Sequence, residues 1–221
     1  MYSKTQAPEN AKLVNGVFHQ IIRPISKDPR PVLFLDRDGC IVVETNYLHK
    51  AEEVQLINGA ANVIARANSL DIAVVVVTNQ SGIGRGYFTW EDFFDVQQEI
   101  VSQLGKVGAY FDGVFACPYH EKGKQLYKHP NHPSRKPNPG MLLAAAISLN
   151  LDLSRSWIVG DRASDLGAGL NASLAGGIHV ASGYGLREGE RRDSLALATE
   201  SFSVLAAETI ADIPEMIGLF T

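Results

Sequence analysis

The chain has 221 residues, 45% hydrophobic and 20% charged, enough for one generous domain or two small ones with a real buried core. Its net charge of −4 and pI of about 5.9 offer no global basic field to recruit nucleic acid or an anionic membrane. Two cysteines, Cys40 and Cys117, make no disulfide framework. The polar start MYSKTQAPENAKLVNG lacks a signal-peptide core, and no apolar run reaches bilayer length, so a soluble cytoplasmic protein is expected.

Residues 1–30 show weak periodicity and read as an N-terminal extension, laid over the main domain or partly disordered. The pattern then sharpens. Pro31 to Leu35 is a short apolar run that stops at Asp36, and Ile72 to Val77 is a β-branched run that stops at Thr78-Asn79. Gly113 to Ala116 stops at Cys117, Trp157 to Val159 at Gly160-Asp161, and Gly177 to Val180 at Ala181-Ser182. Apolar runs without alternation suit strands buried on both faces, as in parallel sheets.

Helical segments fall between them. Gly59 to Ser69 is Ala-rich. Thr89 to Asp92 resembles a capping box and opens a helix to about Leu104. Asn138-Pro139 supplies an N-cap and a first-turn proline for a helix to about Asn150, and Asp165 to Ala172 is a short helix. The alternation predicts an α/β fold: a doubly wound, Rossmann-like parallel sheet of about five strands with helices on both faces. Residues 31–221 are expected to form a single domain, with a loop insert at 117–134.

Each polar cluster that ends a strand should lie at the carboxyl edge of this sheet, where open α/β sheets bind ligands. Asp36-Arg37-Asp38-Gly39 offers two carboxylates two residues apart. One can attack phosphorus while the other moves a proton. Alone, Asp-x-Asp-Gly is short and common, and a loop with two solvated carboxylates would carry the same letters. Thr78-Asn79-Gln80-Ser81-Gly82 can hold phosphate oxygens through a hydroxyl, an amide and backbone N–H groups. The following Gly82-Ile83-Gly84-Arg85-Gly86 lacks dinucleotide spacing. Arg135-Lys136 gives a forked cation and a compact one for oxyanions. Asp161 and Asp165 suit a hard cation, with Asp36 available to share it. Mg²⁺ takes one or two carboxylates plus substrate phosphate, and Asp165 could instead answer a helix dipole.

Together, FLDRDGCIVVE, VVVVTNQSGIGRGYFT, CPYH…SRKPNPGML and IVGDRASDLGAG resemble the haloacid dehalogenase (HAD) superfamily. Within it they resemble the group of heptose bisphosphate and histidinol-phosphate phosphatases. The resemblance covers roughly residues 32–183 and leaves 1–30 uncovered. It implies that Asp36 is the nucleophile and Asp38 the general acid/base. It implies that Mg²⁺ sits between the Asp36 carboxylate, the Asp38 carbonyl and Asp161, with Asp165 supporting it from behind. Thr78 and Asn79 would hold the transferring phosphoryl group, Lys136 would neutralise its charge, and Arg135 would contact the rest of the substrate. Arg162 stands where many relatives carry Lys.

The implied function is a Mg²⁺-dependent phosphatase, a phosphoric monoester hydrolase working through an aspartyl-phosphate on a small sugar phosphate. The leading substrate is D-glycero-D-manno-heptose 1,7-bisphosphate at its 7-phosphate. Histidinol phosphate or another small phosphomonoester is the alternative within the class, and a non-catalytic phosphosugar-binding module is the alternative outside it. The spacings Asp38 to Thr78 and Thr78 to Lys136 leave no room for a cap domain, so a capless form is expected. No nucleic-acid or membrane partner is expected, and a monomer is favoured.

The stretch CPYHEKGKQLYKHPNHPSRKP holds Cys117, His120, His129 and His132. Zinc-binding relatives carry Cys-x-His early in this loop and Cys-x-Cys before Arg-Lys-Pro, but here Tyr119 and Ser134 occupy two of those four places. The four remaining candidates could form a tetrahedral site only if the loop re-registers. Zinc is not expected, and the stretch reads as a proline-stiffened loop packed by Tyr119 and Tyr127 that walls the substrate site.

Overall fold

The computed structural model describes Pro8 and residues 10–221. One sheet runs through the molecule in the order β1-β2-β5-β4-β3-β6-β7-β8. Its strands are β1 (Ala11–Val14), β2 (Val17–Ile21), β3 (Val32–Leu35), β4 (Ala73–Asn79), β5 (Gly113–Cys117), β6 (Trp157–Gly160), β7 (Gly176–Val180) and β8 (Ser203–Ala207). The pairings from β5 through β8 are parallel, and those of β1 and β2 are antiparallel. The five expected strands are all present, but the sheet has eight, not about five.

The extra strands have local causes. Residues 11–21 of the expected extension fold as a hairpin that pairs with β5, so this segment lengthens the sheet rather than lying over it. The turn is Asn15-Gly16, with φ of 49° and 75°. Asn-Gly between apolar residues is the standard two-residue hairpin signal, because both positions tolerate positive φ and its twist matches the strands. Residues 1–7 and 9 of that extension lie outside the described residues. Strand β8 is a short run at the far edge, parallel to β7.

Six helices are described: α1 (Ala60–Ser69), α2 (Ser81–Arg85), α3 (Trp90–Gly105), α4 (Gly140–Leu149), α5 (Ala163–Asn171) and α6 (Glu190–Leu195). Alternation along the strands divides the core into two layers. Leu33, Leu35, Val74 and Val76 face α1 and α3 with Val63, Ile64, Phe93 and Ile100. Val32, Phe34, Val75 and Val77 face α4 and α5 with Met141, Leu142, Ala145 and Ala168. Because both faces are covered, β3 and β4 need apolar residues at every position, which explains their unbroken runs.

Helix α3 begins with the expected capping box, in which Thr89 Oγ1 accepts from Asp92 N at 3.3 Å and Asp92 Oδ2 accepts from Thr89 N at 2.7 Å. Helix α4 departs from expectation. Asn138 does not cap it, because its amide donates to Asn131 Oδ1 and to the His132 carbonyl, while Gly140 N donates to the Pro133 carbonyl. The preceding loop therefore supplies the acceptor for the first helical N–H. Among the described residues, no helix is long and apolar enough to cross a membrane.

Candidate active site

The sheet order places β3 at the point where successive connections turn from one edge toward the other. Ligands bind outside the strand ends at such a point. Asp36 follows β3, Thr78 and Asn79 close β4, Asp161 follows β6, and Lys136 arrives from the loop between β5 and α4. All line one cleft of about 300 Å³, together with Asp38, Asp165 and Arg135. Every residue expected to bind phosphate, substrate or Mg²⁺ thus reaches the same place.

At the floor, Asp36, Asp161 and Asp165 are buried, and a ligand atom of each lies within 4.8 Å of the other two. Lys136 is 3% exposed, and its ammonium donates to Asp36 Oδ1 at 2.7 Å and to the Val77 carbonyl at 2.8 Å. It also pairs with Asp165 Oδ1 at 2.7 Å. Burial alone would lower the Lys136 pKa, but Asp165 and Asp36 outweigh it and hold the ammonium above its ordinary value. Asp161 Oδ2 accepts from Tyr184 N at 2.6 Å, whereas its buried Oδ1 has no hydrogen-bond partner.

One ammonium therefore faces three carboxylates, which leaves the floor two negative charges in excess when all are ionised. Burial pushes the Asp36 pKa up to about 7; Lys136 offsets part of this, and Asp165 and Asp38 reinforce it. Burial, with repulsion from Asp165 and Asp36, pushes Asp161 up to about 8. An all-oxygen donor set, an excess of two charges and an orphaned carboxylate oxygen fit a divalent hard cation such as Mg²⁺. Space is reserved for the Asp161 carboxylate. Gly39 (φ +81°) and Gly183 (φ +56°) flank it, and a Cβ on either would lie 2.2 Å from Asp161 Oδ2.

Two side chains that the sequence reading left out hold Asp38. The Arg37 guanidinium, 1% exposed, forks onto both Asp38 oxygens at 2.9–3.1 Å. Gln80 Nε2 donates to Asp38 Oδ2 at 2.8 Å and to Thr78 Oγ1 at 2.9 Å. Their positions, one inside Asp-Arg-Asp and one after Thr-Asn, were the available signal. Asn79 lines the cleft, and its side-chain amide is spent on the Lys136 backbone. Its Oδ1 accepts from Lys136 N at 3.1 Å and its Nδ2 donates to Lys136 O at 3.2 Å. Asn79 thus clasps the strand end to the lysine loop.

The cleft rim carries Glu44 and Tyr47 from the segment after β3, Arg135 and Arg162, and Tyr184. Arg85 donates to the Tyr47 hydroxyl at 2.7 Å, and the Tyr184 hydroxyl donates to Asn46 Oδ1 at 3.0 Å. Arg135 Nη1 donates to the Tyr119 carbonyl at 3.0 Å.

The loop at 117–134 is ordered by its own contacts. Tyr119 stacks on His132 with centroids 3.8 Å apart and rings 2° from parallel, and meets Tyr127 edge-on at 5.5 Å. The Tyr119 hydroxyl donates to the Asn15 carbonyl in the N-terminal hairpin. His120, His129 and His132 each accept a backbone N–H two residues on at Nδ1, at 3.0–3.1 Å. The Cys117 side chain belongs to the core layer beneath α4. Among the described residues these four do not form a ligand cluster of the kind seen at Asp36, Asp161 and Asp165.

A Rossmann-like sheet with an aspartate after its first parallel strand, a buried lysine and two further aspartates at the same edge defines a HAD-like hydrolase. A family model described as HAD-hydrolase-like matches residues 133–204. A protein of Mesorhizobium japonicum named D-glycero-beta-D-manno-heptose-1,7-bisphosphate 7-phosphatase is 46% identical over 177 residues, covering 80% of this chain and 82% of the relative. One of the same name from Pasteurella multocida is 34% identical, covering 85% and 97%. The crystal structure of D,D-heptose 1,7-bisphosphate phosphatase from B. bronchiseptica, complexed with magnesium and phosphate, superposes with a TM-score of 0.68. It is 28% identical and covers 84% of this chain and 96% of that one. The chain belongs to the HAD family, in the group of these heptose-bisphosphate phosphatase relatives.

Proposed function

We propose that the protein is a Mg²⁺-dependent phosphatase that removes the 7-phosphate of D-glycero-D-manno-heptose 1,7-bisphosphate. The observation that carries this reading is the floor of the cleft: a strand-end carboxylate at Asp36, one buried ammonium, and two more buried carboxylates, one with an unpartnered oxygen. Asp36, Asp161 and the Asp38 carbonyl would hold Mg²⁺, with Asp165 behind them fixing Lys136. The ion supplies charge neutralisation on the phosphoryl oxygens when bound.

Asp36 then attacks phosphorus, the bond from phosphorus to the sugar oxygen breaks, and that oxygen takes the proton of Asp38. Water next gives a proton to Asp38 and attacks the aspartyl-phosphate, which frees Asp36 and inorganic phosphate. The ammonium of Lys136 and the hydroxyl of Thr78 would meet the transferring group. Most of the catalytic effect in phosphoryl transfer comes from such positioning and charge stabilisation.

Substrate size and charge agree with the rim. A cleft of about 300 Å³ admits a small sugar phosphate, and Arg135 and Arg162 provide cations beyond the floor for a second phosphate. Between Asp38 and Thr78 the chain builds only the flap near 42–55 with its 3₁₀ turn, α1 and most of β4. Between Thr78 and Lys136 it builds α2, α3, β5 and the loop. The enzyme is therefore capless in our reading, with the flap and the 117–134 loop enclosing the substrate. The names of the relatives favour the heptose substrate over histidinol phosphate.

The test is phosphate release with Mg²⁺ on heptose 1,7-bisphosphate, histidinol phosphate and simple sugar monophosphates. The bisphosphate is expected to give the highest kcat/KM. Equal rates across the panel would remove the substrate assignment. Sugar-phosphate binding without release on any member would point to a binding module instead.

A further inference from the structure

We infer that Arg37 and Gln80 are positioning residues that lock the Asp38 carboxyl into one rotamer beside Asp36 for protonation of the leaving oxygen. The inference rests on reading Asp38 as the proton donor, and it concerns what holds that donor in place.

Arg37 is an expensive residue to keep where it is. Its side chain is 1% exposed and lies over the Phe93 ring at 5.3 Å, and Nη1 has no partner. Removing a guanidinium from water is unfavourable before any contact is made. The polar contacts it makes in return are the fork onto Asp38 and one long bond of 3.5 Å to the Leu48 carbonyl. An apolar chain of similar length would fill the space against Phe93, so packing does not demand the charge. The backbone beneath it is fixed independently, since Cys40, Ile41 and Val42 all donate N–H groups to the Arg37 carbonyl.

Gln80 completes the hold from the neighbouring strand end. Its amide nitrogen bridges Asp38 Oδ2 and Thr78 Oγ1. One group therefore sets the spacing between the carboxyl that would serve the leaving oxygen and the hydroxyl that would meet the phosphoryl group. With donors on both sides, Asp38 loses the rotamer freedom an exposed aspartate has. A displacement of about 1 Å at such a group can cost about a hundredfold in rate.

The ester tested separates positioning from structure. A sugar phosphate leaves as an alkoxide and needs the proton, whereas 4-nitrophenyl phosphate releases a stable phenolate and does not. The quantity kcat/KM covers the steps through cleavage of the first ester bond, so it excludes the later hydrolysis of the aspartyl-phosphate. In the Mg²⁺-loaded enzyme, Arg37→Met and Gln80→Met are each expected to lower kcat/KM on the sugar phosphate about a hundredfold and on 4-nitrophenyl phosphate less than about threefold. Arg37→Lys, which keeps the charge and loses the fork, is expected to fall between wild type and Arg37→Met; it carries the test with Gln80→Met should Arg37→Met fail to fold.

An equal fall on both esters, or no fall on either, overturns the inference. Asp38→Asn, measured alongside, separates the two layers of the argument. If Asp38→Asn keeps wild-type kcat/KM on the sugar phosphate, the donor reading falls and takes the inference with it. If Asp38→Asn loses the sugar ester selectively while Arg37→Met and Gln80→Met lose both equally, only the inference falls.

Discussion

Three buried carboxylates and one buried ammonium meet at the ends of β3 and β6, and their charge balance sets what the site can do. Asp36→Asn removes the attacking oxygen while keeping shape, so turnover is expected to fall at least about a thousandfold with the thermal midpoint little changed. Phosphate release retained by that variant would sink the aspartyl-phosphate route. Gly39→Ala and Gly183→Ala each push a methyl group to 2.2 Å from Asp161 Oδ2 and also strain a positive φ. Both are expected to weaken Mg²⁺ binding, measured by titration calorimetry, more than they lower stability without metal.

The raised carboxyl pKa values give a pH dependence with a definite sign. Folding raises Asp36 and Asp161 from 3.8 to about 7 and about 8. The folded protein therefore binds more protons than the unfolded chain in that window. The stabilisation linked to those protons is complete below about pH 4 and is lost as pH rises through 7 and 8. Metal ligands must be deprotonated, so Mg²⁺ binds better as pH rises. The increase in thermal midpoint on adding Mg²⁺ is accordingly expected to be larger at pH 8 than at pH 6. An equal or reversed increment would contradict the charge balance described for the floor.

At the scale of elements, the N-terminal hairpin and the 117–134 loop support one another. The Asn15-Gly16 turn receives the Tyr119 hydroxyl, Tyr119 stacks on His132, and the Tyr119 carbonyl receives Arg135 from the cleft rim. Helix α3 is pinned to the same loop by Trp90 Nε1, which donates to the Tyr127 hydroxyl at 3.1 Å. Its N-terminus depends on a capping box, and Thr89→Ala is expected to cost about 1 kcal/mol in urea unfolding without altering kcat. The hairpin was legible in Val14-Asn15-Gly16-Val17, but weak periodicity around it hid the strands, since β1 is an edge strand with two exposed residues. Asn138-Pro139 has the letters of a helix start, but Asn138 spends its amide on partners in the loop and leaves α4 without a side-chain cap.

Across the whole molecule, the hairpin contributes to the main core and not only to a sheet edge. Phe18 in β2 packs against Trp90, Phe93 and Phe94 with ring centroids 5.3–5.7 Å apart. Phe18→Ala is expected to destabilise the protein by about 3–5 kcal/mol, read from chemical denaturation. Deleting the hairpin would also bare β5 as an open edge beside the loop that delivers Lys136. A truncation beginning near residue 22 that kept full stability would show instead that the hairpin is a separable extension.

The sequence by itself determined the parallel core and the chemistry at its edge. Short unbroken runs rich in β-branched residues suit strands covered on both faces, and a strand-end aspartate emerges where neighbouring strands also end. Asp36, Asp38, Thr78, Lys136, Asp161 and Asp165 therefore meet in the cleft as their spacing implied. Only the tertiary structure decided how the remaining polar atoms are shared. Local sequence does not show that Asn79 is spent on the Lys136 backbone, that Arg37 turns onto the adjacent Asp38, or that Gln80 bridges two strand ends. Those pairings depend on which donors and acceptors remain unsatisfied after the sheet has closed. That balance is set by contacts between segments a hundred or more residues apart, such as Lys136 with Asp36 and Ser182 with Gly39.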